Sequence, residues 1–89
     1  MTTDPPLAVD PIEAGILSLV AARGTGKSIC PSEVARAIKP EGWQSLMGLV
    51  RQAALRLARA GSIDILRKGK PVPPEKVRGV IRLRLRGEA

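Results

Sequence analysis

The stretch WQSLMGLVRQAALRLARA, residues 43–60, limits what the rest of this chain can do. At helical spacing Trp43, Leu46, Val50, Ala53, Ala54 and Leu57 share one face. Gln44, Ser45, Gly48, Gln52, Arg56 and Arg59 share the opposite face, with Arg51 at the boundary. Gly61 follows as a helix stop. A helix with one apolar stripe is not stable alone in water, so it must bury that stripe against the helices that precede it. Its polar face is then left outward. The amphipathic phase carries through Gly48, which predicts one continuous or kinked helix over 43–60. The alternative is a separate turn at 43–47 and a long helix from about residue 48. Trp43 is in phase with Val50 and Leu57, which predicts a buried anchor; the other reading is a base-stacking platform.

Upstream, residues 1–10 carry two prolines and two aspartates without periodicity and read as a disordered arm. Asp10-Pro11 reads as a helix start, with Asp10 as N-cap and Glu13 completing a capping box. Helix 1 then runs to about Arg23, with Ile12, Ile16, Leu19 and Val20 inward, and ends at Gly24. Thr25–Ile29 is too short for a helix and reads as a short extended segment. Pro31 opens helix 2, with Glu33 in its first turn and Val34, Ala35 and Ile38 inward; Pro40 stops it.

Downstream, residues 62–68 read as a strand. In Val80–Arg86, Ile81, Leu83 and Leu85 alternate strictly with Arg82, Arg84 and Arg86, giving one core face and one row of cations. Between them GKPVPPEKVRG, residues 69–79, is too long for a tight turn and reads as a basic wing. The order is helix, short strand, helix, helix, strand, wing, strand. That is the α+β winged helix-turn-helix, with three helices and a small antiparallel sheet over residues 11–86, and a short tail at 87–89.

The charge is uneven. Residues 1–50 hold four Arg and Lys against five acids, net −1, whereas residues 51–89 hold eleven against three, net +8. Such asymmetry suits a polyanionic partner, although solvated lysines and arginines also serve solubility. Trp43 is the only aromatic, so the core is expected from Leu, Ile, Val and Ala, and single-strand binding by stacked rings has little to build on. Cys30, the only cysteine, has no partner for an internal disulfide. The opening MTTDPPLAVDP has no apolar core of a signal peptide, and no apolar run could span a bilayer. A cytoplasmic location and no membrane partner are expected.

AARGTGKS, residues 21–28, imitates a phosphate loop. A working loop follows a buried strand and opens a helix. Here it follows a helix, and Pro31 lies three residues after Ser28. Nucleotide binding is therefore not expected. The chain has no histidine to activate Cys30, and its acids are scattered without metal-ligand spacing. A non-enzymatic protein without cofactors is the expectation.

The stretches ICPSEVARAI at 29–38, W-x-x-L-M at 43–47, VRQAALRLARAGSI at 50–63 and RKGKPVPPEKVRGVIRLRL at 67–85 carry a resemblance. The sequence resembles a family of short bacterial proteins catalogued only as a domain of unknown function, with a winged-helix-like fold. The resemblance covers most of residues 12–85. It implies the fold and no particular activity.

The expected function is duplex DNA binding. Gln44, Ser45, Arg51 and Gln52 of helix 3 would lie nearest the bases, and Lys68, Lys70, Lys76 and Arg78 of the wing would touch phosphates. The alternative is a module for a protein partner or a homodimer. Leu55, which falls nearer the outward face than the core, would be its anchor, together with the sheet edge.

Overall fold

A computed structural model describes residues 9–86. The arm expected at 1–10 and the tail at 87–89 lie outside the described residues, except for Val9 and Asp10. Three helices pack on one face of a four-stranded antiparallel sheet. In order they are α1 (Val9–Arg23), β1 (Ser28–Ile29), α2 (Pro31–Ile38), α3 (Met47–Arg59), β2 (Ile63–Arg67), β3 (Lys70–Val72) and β4 (Arg82–Leu85), with 3-10 turns at Trp43–Leu46 and Pro74–Lys76. The strand order is β1-β4-β2-β3. This is an α+β fold compatible with a winged-helix-like arrangement.

The core is aliphatic. Ile16, Ile29, Ile63, Ile65, Leu83, Val20, Val34 and Val50 are fully buried. On the sheet, Ile63 pairs with Leu85 and Ile65 with Leu83, so period-2 alternation aims both strands' apolar residues at the helices. Ile29 pairs with Leu83 on the other side of β4 and joins the same cluster. From α3 the buried stripe is Val50, Ala53, Ala54, Leu57 and Ala58. α3 ends in a Schellman arrangement: Gly61 takes φ 85°, its N–H donates to Ala58 O, and the Ser62 N–H reaches Leu57 O.

Several details differ from the sequence-based expectations. Helix α1 begins at Val9, so Asp10 lies inside it rather than capping it. Glu13 accepts from Arg56 Nε at 3.0 Å and ties α1 to α3. The capping-type contact occurs at α2, where Glu33 Oε2 accepts from the Cys30 N–H at 3.0 Å. Residues 43–60 are not one continuous α-helix. Gly42, at φ 78°, starts a 3-10 turn that runs directly into α3 at Met47. The Ser45 hydroxyl donates to Gly42 O at 2.9 Å and helps hold that turn. Trp43 is half-buried rather than fully buried and packs against the core, with the Arg36 guanidinium 4.8 Å from its ring centre. Leu19 is also only half-buried, and Ile38 is 42% exposed. The end of the Ile38 side chain lies over α1, where a Cβ on Gly15 would stand 3.4 Å from its Cδ1.

The basic loop departs furthest from expectation. The chain does turn tightly, through Lys68-Gly69, whose φ values of 54° and 81° are those of a two-residue type I′ hairpin turn. It then forms β3, with Arg67 opposite Lys70. Pro71, which reads as a strand breaker, is tolerated because β3 is an edge strand. The chain returns to β4 through residues 73–81, and the final strand starts at Arg82 rather than Val80. Val77 packs against the core along this return.

The row of arginines on β4 is built into the fold. Arg84 Nη2 donates to Asp64 Oδ2 at 3.0 Å, and Arg86 Nε donates to Asp64 Oδ1 at 3.1 Å. Arg82 donates to the Ser28 hydroxyl at 2.6 Å and to Ser28 O at 3.0 Å, stitching β4 to β1. Burial alone would raise the Asp64 pKa, but the hydrogen bonds and positive charge of Arg84 and Arg86 outweigh it and leave it below the usual carboxylate value. A depressed folded-state pKa stabilises the fold above the unfolded value, about 3.9, and that contribution disappears as pH falls through the folded value. Asp64→Ala should therefore cost about 1–2 kcal/mol at neutral pH, a discounted figure because Arg86 is half exposed. The gap between wild type and variant should narrow in urea unfolding as pH falls below the unfolded value, about 3.9.

Candidate nucleic-acid interface

The positive charges differ in what surrounds them: some pair with acids, Lys27, Arg36, Lys39 and Arg59 are exposed without an ion-pair partner among the described residues, and five other unpaired ones cluster. Arg23 pairs with Glu33, Arg56 with Glu13, and Arg84 and Arg86 with Asp64. These arginines hold elements together. Arg67, Lys68, Lys70, Lys76 and Arg78 have no ion-pair partner among the described residues, and Glu75 is the only acid between positions 67 and 78. All five are exposed. Their clustering follows from the hairpin and the return segment. Arg67, Lys76 and Arg78 line one surface groove with Val72, Pro73 and Val77 as its apolar wall. Arg67 and Lys68 line a second, with Gly69 and Arg82. Arg67 therefore stands between the two grooves.

Lys68 is the only described non-glycine residue at positive φ. Asn or Gly is preferred there, and a lysine costs on the order of 1 kcal/mol. Strain of this kind, accepted at an exposed tip, places a cation at the outermost point of the hairpin.

The outward side of α3 is narrower than its sequence suggests. Gln52 and Arg59 are exposed, as are Gln44 and Ser45 on the preceding turn. Arg51, expected at the bases, is half-buried, and its Nη1 donates to Gly79 O at 3.3 Å, so it is drawn towards the return segment. Arg56 leans the other way, onto Glu13. The structure thus leaves Gln44, Gln52 and Arg59 exposed without a side-chain partner among the described residues on the helix side, with Ser45 exposed but bonded to Gly42 O, and Lys68, Lys70, Lys76 and Arg78 exposed on the hairpin side. Arg67 escaped the sequence reading because it was assigned to the strand. Its signal was its place immediately before Lys68-Gly69, a turn that fixes it beside the other cations.

Leu55 is half-buried and packs against the core. Its position at the helix boundary is therefore explained within the chain. AARGTGKS runs from the end of α1 through a turn into β1, the reverse of the strand-to-helix order that a phosphate loop needs. No helix of the described residues is long and apolar enough to cross a membrane.

A three-helix domain with a small antiparallel sheet, a narrow polar helix face and an unpaired basic hairpin is the class defined by this geometry. The chain belongs to the family described as Protein of unknown function (DUF3253), whose sequence model matches residues 9–86. Among curated proteins no sequence matches it.

Because Leu55 packs inward, Leu55→Asp should destabilise the monomer by about 1–3 kcal/mol. Sedimentation and chemical unfolding measured together check this. A variant that stays fully stable while a wild-type dimer disperses would restore Leu55 as a contact residue.

Proposed function

We propose that this protein binds duplex DNA without catalysing a reaction. The observation that carries the reading is the gathering of Arg67, Lys68, Lys70, Lys76 and Arg78 into one lobe with a single acid, while Arg84 and Arg86 share the Asp64 carboxylate and Arg82 is bonded to Ser28. An unpaired basic cluster releases counterions when it meets phosphates, and that release supplies most of the affinity for nucleic acid. The sequence net charge of +7 adds to this. Gln44, Ser45 and Gln52 lie on the face that would approach the major groove, where glutamine suits adenine edges. Arg51 takes a positioning role in this reading, holding the return segment beside α3 through Gly79. Duplex is favoured over single strands because Trp43, the one aromatic, is half-buried beneath Arg36 and offers no row of stacking rings.

The test is a salt titration with mixed-sequence duplex. Replacing Lys70 and Lys76 with Gln should weaken binding to every duplex alike and reduce the salt slope by about 2. Replacing Arg84 with Gln should lower stability and leave the slope nearly unchanged, since its charge is already paired with Asp64. Absence of binding by the wild-type chain near 50 mM salt, where phosphate contacts are strong, would end the duplex reading.

A further inference from the structure

Of the glycines in the described residues, Gly48 is the one that neither its own backbone conformation nor any described neighbour explains. Its φ is not positive, so the backbone conformation does not require glycine. A Cβ built on it meets no heavy atom within 4 Å beyond its local helix backbone and chain neighbours, so packing does not require it either. Gly15 also has no positive φ, but Ile38 fills the space above it. Gly48 lies exposed in the first turn of α3, where alanine would favour the helix. The lost helix propensity is not recovered by any contact among the described residues. What a bare Cα provides is room for another backbone to approach more closely than a methyl group allows.

The neighbours of Gly48 are exposed polar residues of this face. Ser45 lies one helical turn before it and Gln52 one turn after, both exposed. On either side, Arg56 is held by Glu13 and Arg51 by Gly79. The open strip of α3 therefore runs through Gly48. Lys68 breaks its local rule in the opposite sense, a lysine where glycine would be easier, and it too is exposed. Departures from local preference without internal compensation are expected where a molecule meets its partner.

We propose that Gly48 is the point of closest approach between α3 and bound duplex, so that the N-terminal half of α3, with Gln44, Ser45 and Gln52, enters the groove. The inference rests on the duplex-binding reading above and adds the register of the helix. The unpaired cations of the hairpin supply the charge complementarity that selects a polyanion as occupant.

The experiment compares the full chain with Gly48→Ala and Gly48→Leu, by thermal melting and by binding to a mixed-sequence duplex over a range of salt. Gly48→Ala should raise Tm by about 2–5 °C. It should also raise the dissociation constant between about 5- and 100-fold, with Gly48→Leu weaker still, as for other overpacked contacts. The salt slope should not change, because no cation is lost. Undiminished binding by both variants, with salt-dependent binding by wild type, would overturn the proposal and leave the duplex reading standing. A lower Tm for Gly48→Ala would show that the glycine serves the fold and would also overturn it. If wild type shows no salt-dependent binding at all, the duplex reading fails and the proposal falls with it.

Discussion

Burial of the narrow stripe on α3 is the constraint on which the other features depend. Val50, Ala53, Ala54, Leu57 and Ala58 are mostly small, so the helix can sit close to α1 and the sheet, and large side chains must come from elsewhere. The isoleucines of α1, β1 and β2 and Leu83 of β4 supply them. Fixing this stripe also fixes which residues of α3 face out. It sets Arg56 against Glu13 and Arg51 against Gly79, and only the strip between them is left without an internal partner.

The sheet divides the charges in a similar way. Asp64 is 15% exposed and receives two arginines, which keeps it ionised and spends the cations of the outer strand row inside the fold. Arg82 is committed to Ser28. A basic second half is therefore not a uniformly basic surface. Five cations without an ion-pair partner among the described residues lie together on the hairpin and return segment, where a type I′ turn and a proline-containing edge strand project them. Pro71 and the lysines there also discourage edge-to-edge pairing, which an exposed β3 would otherwise invite.

Periodicity revealed much of this in advance. Helix spacing marked α2 and the buried positions of α3, strict alternation marked Ile81, Leu83 and Leu85, and Gly24 and Gly61 marked helix ends. What periodicity could not convey was the partner of each polar residue. The Asp64 clamp joins residues far apart in the chain, as does Arg56 with Glu13, and no local pattern encodes them. The hairpin was hidden by its prolines, which drew attention from Lys68-Gly69, and by a lysine in a position usually held by Asn, Asp or Gly. Trp43 packs against the core but is only half-buried, because an α-helical phase does not carry through a 3-10 turn, whose side chains advance at a different angle. At the candidate interface, Gln44, Ser45 and Gln52 were legible because exposure follows from helix phase. The half-buried state of Arg51 was not, because it depends on the return segment folding back beside α3.

The division between cations that hold the fold and cations that are free for a polyanion is tested most directly by mapping backbone amide shifts of the labelled chain as mixed-sequence duplex is added at low salt. The largest changes should fall on residues 44–52 and 67–80, with little change at Asp64, Arg84 and Arg86. Changes centred on the Asp64–Arg84–Arg86 face, or none anywhere with duplex in excess, would contradict the division.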